Sequence, residues 1–486
     1  MAQTGGGEPR LEGQDTDQGD TRNRGLTDPY ANFETEEPEV TYTDYLCNKK
    51  PTVWQARVLI MFIFFVAGAT QSYQSVIILE LQEKGATYSD QAKFSIASYP
   101  YLLKILYAPL LDTYFLKSVG KCKTYVTIGM TLLGILLVIL SPGIQAFTVP
   151  KNMNLIVLLW FCVNCIITIF QIAGEMWMVK IFDTDDEKSQ GSIVFDTGVS
   201  LGSFLSYNVL IPLSDLKWLN SKRAPDNQLT HPYMTHQVML FAIGATSLMF
   251  SIVIFFSVAE KTLTYPNDRQ DLCKVIKVAP KFFTNKTMRD FMIFIFVTKA
   301  IRQLFGEAIT LKMIDQGLSK TSLVNTDTVT FPLYLITNWV LFKIIKKGSI
   351  VRMYLWMVLY TCVQLLLRYL VYLDLKTSRN SDRAVTFLYV LSFLDRFANT
   401  SAVIAGYINI ITQQEVGATF LTLMFCWLNM AGIIPNTIGL KMTDWLGSSF
   451  DIAYLATTGL QIVTFFYYFE YSKKLDSMEK DEYSLV

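Results

Sequence analysis

The chain contains about twelve stretches of apolar residues, each long enough to cross a lipid bilayer, whose hydrocarbon core of about 30 Å needs about twenty such residues in a helix. Hydrophobic residues make up 51% of the chain and charged residues only 17%, whereas soluble domains carry about 25% charged residues. The pattern predicts an all-α polytopic membrane protein. Its helices, numbered here as spans one to twelve, are predicted at roughly 53–80, 90–111, 124–146, 153–181, 190–213, 237–259, 288–314, 325–345, 352–374, 384–412, 416–442 and 450–471.

The distribution of lysine and arginine predicts how these spans are arranged. Basic residues concentrate before span one and after spans two, six and eight, so the positive-inside rule places both termini in the cytosol. Residues 1–45 are rich in Gly, Asp, Glu, Gln and Thr and are predicted to form a disordered cytosolic tail. The longest basic loop, 260–287, follows six spans and separates two predicted six-helix halves, 46–259 and 288–472, with a cytosolic tail at 473–486.

The composition excludes several classes of function. A net charge of +1 does not fit a strongly basic nucleic-acid binder, so the expected partners are the bilayer and a small molecule. The only histidines, His231 and His236, lie between spans five and six, and no metal site is predicted. No intramembrane Ser/His/Asp arrangement is evident, so we predict no enzyme activity and no cofactor. A membrane acetyltransferase or a scaffold without transport is the least favoured alternative.

Span two contains a lysine between two prolines. A charge at the bilayer centre costs several kcal/mol unless it is paired or hydrated, so Lys104, between Pro100 and Pro109, requires an explanation. It is either a cation that contacts an anionic substrate or a side chain that reaches toward Asp112 and the membrane surface. The prolines predict that this helix is bent.

Span seven carries two cations on one face. Lys299 and Arg302 are three residues apart in the sequence, so both side chains point to the same region. We predict that they contact the substrate. The alternative is that Lys299 lies near the cytosolic end of the span and that Arg302 is neutralised by Glu307.

Spans ten and four add further polar candidates. Arg396 and Asn399 share a face of span ten, and the planar guanidinium suits bidentate contact with phosphate or carboxylate. Pairing of Arg396 with Asp395 or with a neighbouring helix is the alternative. In span four, Gln171 and Glu175 are four residues apart and face the same way, where either side chain can contact a substrate.

The buried cations outnumber the buried acids that the sequence brings to notice, so the predicted cargo is an anion. Gln71 in span one is a further candidate for hydrogen bonding to it. Two acids, Glu175 and Glu307, are candidates for carrying a proton if transport is coupled to a pH gradient.

Several segments together resemble the acetyl-coenzyme A transporter family of the major facilitator superfamily. The specific part is in and after span two, and weaker matches follow in spans seven and eleven. They are Ser89-Asp90-Gln91-Ala92, Pro100, Lys104, Ala108–Asp112, Gly120–Lys123, Lys299, Glu307, Lys312–Lys320, Gly417–Thr422, Asn429, Gly432 and Pro435. The chain departs from the family in span one, where Ser72 follows Gln71, and in span four, where Gln171 and Glu175 stand in place of paired aspartates.

The resemblance implies a major facilitator fold and transport of acetyl-coenzyme A from the cytosol into the endoplasmic reticulum or Golgi lumen. Transport would proceed by alternating access, with two halves rocking about a midplane site. The alternative is a proton-coupled permease for another bulky anion. We expect the segment after span two to act as a latch between cytosolic helix ends in the outward-facing state, through Asp112, Lys117, Gly120, Lys121 and Lys123.

Overall fold

The computed structural model describes residues 52–116, 119–182, 185–221, 223–257, 260, 286–344, 350–378, 381–397, 400–411 and 417–477. In this part of the chain the regular structure is entirely helical, and every predicted span coincides with one helix or with two or three consecutive helical segments. The unbroken ones are Val53–Glu83 (span one), Met153–Ile181 (four), His236–Ser257 (six), Lys320–Ile344 (eight), Ile350–Ser378 (nine), Gly417–Leu446 (eleven) and Phe450–Ser477 (twelve). The predicted all-α membrane fold is confirmed.

Five spans contain irregularities. Span three, Lys121–Leu140, ends in a 3₁₀ turn and a short helix, and span five, Asp185–Ser203, continues through a π-helical stretch, Phe204–Val209, to Leu210–Ser214. Spans two, seven and ten are divided more sharply. Their segments are Tyr88–Phe94, Ser95–Leu103 (3₁₀) and Lys104–Thr113; Lys286–Gln303 and Gly306–Asp315; Ser381–Asp395 and Thr400–Ile411.

Seven helical stretches of the described chain are long and apolar enough to cross a membrane on their own: Val53–Glu83, Lys121–Phe147, Pro150–Met178, Gln190–Ser214, His236–Phe256, Ile350–Ser378 and Thr422–Leu475. The last of these covers spans eleven and twelve. Spans two, seven, eight and ten are not among them. Three of these four are the divided spans, and all four carry the charges discussed below, so polarity and helix breaks occur together.

Spans one and five touch through their main chains. A Cβ added at Gly198 would lie 2.5 Å from the carbonyl oxygen of Met61, and one added at Gly202 would lie 2.0 Å from that of Phe65. From the other side, a Cβ at Gly68 would lie 2.1 Å from the carbonyl oxygen of Val199. These glycines therefore serve close helix packing, the usual role of small residues spaced in this way in membranes.

We call the end of the bundle where span one finishes and span eight begins the Glu80 end, and the opposite end, where span one starts, the Val53 end. The sequence predicts that the Val53 end faces the cytosol. The functional residues below are placed relative to these two ends.

Candidate functional site

A cavity of about 460 Å³ lies between spans one, five, seven, eight, nine and ten. This volume is typical of small-molecule sites, which measure about 300–1,000 Å³. Charged side chains from four spans line it: Arg302, Glu307, Asp327, Arg368 and Asp395. The predicted substrate contact Arg302 and the predicted proton carrier Glu307 are thus both at the cavity wall.

The breaks in spans seven and ten lie next to each other beside this cavity. Arg302 is in the last turn before the break in span seven, and Glu307 is in the first turn after it. Both positions suit their charges, because a helix stabilises cations at its carboxyl end and anions at its amino end. Arg302 Nη1 donates a hydrogen bond of 2.9 Å to Oγ1 of Thr400, the residue at which span ten resumes.

Neighbouring helices accommodate both breaks. The carbonyl of Leu304, inside the break of span seven, lies against Gly439 of span eleven, where an added Cβ would be only 1.4 Å from that oxygen. In span ten, the carbonyl of Leu394 accepts hydrogen bonds from the Tyr360 hydroxyl at 2.9 Å and from Gln364 Nε2 at 3.4 Å. Irregular backbone at membrane depth is tolerated where neighbouring helices supply such contacts.

Lys299 lies one turn before Arg302 and points toward span eleven. A Cβ added at Gly432 would be 3.6 Å from Lys299 Cε and 3.8 Å from Lys299 Nζ. Within the described ranges, Lys299 forms neither an ion pair nor a hydrogen bond, and Arg302 has no carboxylate partner. Glu307 therefore does not pair directly with Arg302, contrary to the alternative in which it neutralises this arginine.

Two other arginines near the cavity are paired with acids. Arg396 Nη2 is 3.0 Å from Asp327 Oδ1 of span eight, and its Nε donates to Thr330 Oγ1 at 3.1 Å. Arg368 of span nine is 2.5 Å from Asp395 of span ten. Arg396 thus pairs with an acid of a neighbouring helix, which was one of its alternative interpretations. Asp395 pairs with Arg368 instead.

Lys104 is enclosed rather than facing the cavity. Its ammonium lies 2.7 Å from Glu175 Oε1 of span four, and each side chain is only 3% exposed. Neither interpretation of Lys104 predicted this ion pair, although Lys104 and Glu175 were each identified as candidates from the sequence. The second oxygen of Glu175 is buried without a hydrogen-bond partner among the described atoms. Gln171, one turn earlier, is also buried and does not line the cavity. The predicted bend of span two is present as the 3₁₀ stretch around Pro100.

The remaining predicted residues are spread over the bundle. Gln71 lies beside the hydroxyl of Tyr101 and is not part of the cavity wall. Asp112 belongs to the last segment of span two, but its side chain is outside the described part of the structure, as are Lys117 and Asn399 altogether.

The start of span three contacts the residue that follows span six. Glu260 accepts hydrogen bonds from the backbone N–H groups of Cys122 and Lys123, at 3.1 and 2.7 Å. Gly120 precedes them with φ of 106°, a left-handed conformation that favours glycine, and an added Cβ would be 2.7 Å from Glu260 Oε2. Lys121 begins the helix. The predicted latch segment thus has a helix-end contact, and it joins spans three and six.

At the Glu80 end, one carboxylate joins three helices. Glu80 Oε1 is paired with Lys320 of span eight and lies 3.3 Å from Nε2 of His236 in span six. Lys320 also lies 2.8 Å from Glu83. Burial lowers the pKa of Lys320, but the charges of Glu80 and Glu83 and their hydrogen bonds outweigh burial and raise this pKa above its ordinary value. The ammonium therefore stays charged at neutral pH.

Further polar contacts close the same end. Gln82 Nε2 donates to Asp315 of span seven at 2.8 Å, and the Tyr88 hydroxyl also binds Asp315. The backbone N–H of Ser89 donates to Asp444 of span eleven at 2.7 Å. Spans one and two are thus tied to spans seven, eight and eleven at the Glu80 end.

The acid and base partners in spans eight and nine and the contacts at the Glu80 end were not predicted from the sequence. The signal for Asp327 and Arg368 was present, since a charge inside a predicted span is itself a reason to search for a partner. The contacts of Glu80 and Lys320 had no such signal, because both residues are at predicted helix ends, where charges are ordinary.

Comparison with known proteins adds family and fold. Residues 58–268 match the family model described as acetyl-coenzyme A transporter 1. An uncharacterized protein of Schizosaccharomyces pombe is 23% identical over 429 residues, which cover 85% of this chain and 78% of that protein. An uncharacterized membrane protein of Saccharomyces cerevisiae is 22% identical over 312 residues, 55% of each chain.

Among solved structures, the major facilitator transporter FucP in an outward conformation aligns with a TM-score of 0.54 and 12% identity, covering 87% of this chain and 99% of FucP. A bacterial homolog of the human lysosomal transporter Spinster, inward-facing and unoccupied, aligns with a TM-score of 0.51 and 12% identity, covering 89% and 99%. These likenesses show the fold. The resemblance found in the sequence is confirmed: residues 58–268 match the acetyl-coenzyme A transporter family model, and the chain shares the fold of these two major facilitator proteins.

Proposed function

We propose that this transporter moves a bulky organic anion, with acetyl-coenzyme A as the first candidate, across the endoplasmic reticulum or Golgi membrane. One observation carries the proposal: Lys299 and Arg302 lack carboxylate partners among the described residues, and Arg302 lines a cavity of ligand size. Two such cations inside a bundle are costly unless an anion or water compensates them. The family match of residues 58–268 supports acetyl-coenzyme A as the anion.

The mechanism that we propose is alternating access. The contacts of Lys320, Asp315 and Asp444 close the Glu80 end. Nearer the Val53 end, Asp196 of span five accepts hydrogen bonds from Tyr334 at 2.5 Å and Asn338 at 2.8 Å, both in span eight. Substrate shifts the balance between open and closed ends only if it binds one state more tightly than the other. The contact of Gly120 to Lys123 with Glu260 would be made or broken in the same cycle.

The test is uptake of labelled acetyl-coenzyme A into liposomes that contain the purified protein. We expect saturable uptake that is inhibited by unlabelled coenzyme A and is not inhibited by neutral peptides. Arg302→Gln should reduce uptake, whereas Lys473→Gln, which removes an equally positive side chain that is ion-paired with the exposed Glu470, should not. Uptake no greater than in protein-free liposomes would overturn the proposal, as would acetyl transfer by the protein without uptake.

A second candidate function, coupling to protons, is favoured by the surroundings of Glu307. Its Oε2 accepts a hydrogen bond of 2.6 Å from Asn436 Nδ2, while Asn436 Oδ1 is buried without a partner among the described atoms. Rotation of this amide would let a protonated Glu307 donate to that oxygen, so the site can satisfy both protonation states. Glu175, the other predicted proton carrier, is held by Lys104 away from the cavity.

The charges around Glu307 make protonation and anion binding favour each other. Arg302, Asp327, Arg368 and Asp395 share the cavity with it. Because loss of the Glu307 charge leaves the cavity more positive, a proton and an anionic substrate should bind together. Uptake should therefore increase when the outside is more acidic than the liposome lumen. Glu307→Gln should abolish this stimulation and preserve exchange of internal for external substrate; stimulation that persists in Glu307→Gln would exclude the role.

A further inference from the structure

We propose that the cavity recognises a single phosphate monoester group of its ligand, bound by Arg302 at the cavity wall and by Lys299 one turn before it in the same helix. On this proposal, Arg368 and Arg396 hold the protein together and do not bind the ligand. The inference deepens the proposed function, on which it rests for the identity of the cargo, by assigning the part of the molecule that is recognised and the residues that recognise it.

The first step is a comparison of the four cations near the cavity. Arg396 has Asp327 at 3.0 Å, and Arg368 has Asp395 at 2.5 Å. Each of these two positive charges is already balanced by a carboxylate of the protein. A ligand anion would have to displace that carboxylate and leave it buried without its partner, which is strongly unfavourable.

The second step is the charge that remains. Lys299 has no ion pair or hydrogen bond in the described part of the chain, and there the Arg302 side chain hydrogen-bonds to the neutral hydroxyl of Thr400. Together they carry two positive charges on one helix face, and these two charges remain when Glu307 of the same cavity carries the proton proposed for it. A phosphate monoester carries about −1.5 to −2 at neutral pH and matches this pair, whereas a carboxylate would compensate only one of the two cations. The remaining N–H groups of the guanidinium can bind phosphate oxygens, and the ammonium adds a point charge.

The third step is the space around Lys299. A Cβ at Gly432 would make ordinary contacts with Lys299 Cε and Nζ, at 3.6 and 3.8 Å, and no closer ones. Glycine at this position is therefore not required for helix packing, unlike Gly439 in the same helix, whose added Cβ would meet Leu304 at 1.4 Å. A larger side chain at this position would crowd the ammonium, so substitution of Gly432 tests whether Lys299 binds the phosphate group.

The experiment compares coenzyme A with dephospho-coenzyme A, which lacks the 3′-phosphate monoester, in binding to the full chain in detergent. We expect coenzyme A to bind about tenfold or more tightly. In Lys299→Met and in Arg302→Gln the two affinities should become nearly equal. The paired variant Arg368→Gln with Asp395→Asn should keep the preference, because it removes one balanced pair. A preference that survives in Lys299→Met and Arg302→Gln, or that disappears in the paired variant, would overturn the inference.

Inorganic phosphate provides a probe that does not depend on the rest of the ligand. Phosphate should raise the unfolding temperature of the wild type more than acetate does at equal ionic strength, and it should lose this effect in Lys299→Met and Gly432→Leu. Gly432→Ala, which adds one methyl at ordinary contact distance, should retain it. Absence of phosphate-specific stabilisation would refute the inference even if acetyl-coenzyme A is transported. Phosphate-specific stabilisation without acetyl-coenzyme A uptake would overturn only the proposed function.

Discussion

Lys104 and Lys299 are both lysines inside the bundle, and the sequence suggested the same role for both. Lys104 is enclosed with Glu175 at 2.7 Å, and each of these side chains is 3% exposed. Lys299 has no acidic partner among the described residues and lies beside Gly432 of span eleven. An intramembrane charge therefore indicates a ligand site only after its protein partners have been identified. A balanced pair stabilises the fold, and an unbalanced cation is available to an anion.

Removal of the acidic partner of Lys104 is expected to have the largest effect on stability. Glu175→Gln keeps the shape of the side chain but leaves the ammonium buried without a negative charge, which costs about 3–5 kcal/mol. We therefore expect a large fall in the unfolding temperature of the detergent-solubilised protein. The double variant Lys104→Met with Glu175→Met should recover most of the loss, because a buried ion pair can often be replaced by apolar side chains.

The matching change on the other side is Lys299→Met. Because no protein carboxylate is left unpaired by it, the unfolding temperature should stay the same or increase. A fall as large as that of Glu175→Gln would mean that Lys299 is also part of a structural pair, and the contrast between the two lysines would not hold.

The same contrast applies to glycines in the two regions. Gly202→Ala places a Cβ 2.0 Å from the carbonyl oxygen of Phe65 in the closely packed contact of spans one and five, and overpacking of this kind costs about 1–3 kcal/mol. Gly306→Ala, at the break in span seven, meets only the flexible Gln303 side chain at 3.5 Å and should be neutral or stabilising by about 0.4–1 kcal/mol. Thermal unfolding of the two variants measures the difference. Equal losses would show that the break is packed as tightly as the contact of spans one and five.

The sequence predicted the fold well because span length and apolar composition are local properties. It also predicted the irregular span two, since Pro100 cannot donate the helical hydrogen bond. The breaks in spans seven and ten could not be predicted in this way. No proline lies between Gln303 and Gly306 or between Asp395 and Thr400, and what accommodates the first break is the absence of a side chain at Gly439, far along the chain.

The candidate site was predicted only in part, for a related reason. Residue types and their spacing brought Arg302, Glu307 and Arg396 to notice, because charges in apolar spans are unusual. Which charges pair depends on how each helix is rotated against its neighbours. That rotation determines that Arg396 pairs with Asp327 and not with the adjacent Asp395, and spacing within one helix contains no information about it.

A weaker effect is expected at the Glu80 end, where the charges are paired across helices that must separate if this end opens. Lys320 is about 10% exposed and Glu80 about 16%, so the pair should contribute about 1 kcal/mol, equivalent to roughly a fivefold change in the balance between open and closed forms. In Lys320→Met, a thiol introduced by Ser75→Cys in the cavity wall should react roughly fivefold faster with a water-soluble maleimide added from the Glu80 side.

Lys376→Met is the matched control for this experiment, because Lys376 pairs at 2.8 Å with Asp451 and joins spans nine and twelve, which are not the helices held by Lys320. It should leave the labelling rate unchanged. The pair of Lys320 also has a predictable pH dependence. Its pKa is raised in the folded protein, so the contribution is fully present below the ordinary lysine value of about 10.4 and is lost as the pH rises through the raised value. The ratio of the labelling rates measured with and without Lys320→Met, both in the presence of Ser75→Cys, should therefore stay constant from pH 6 to pH 9. If Lys320→Met labels no faster than Lys376→Met, the Glu80 end is not held closed by this pair, and its contacts with Asp315 and Asp444 must be sufficient.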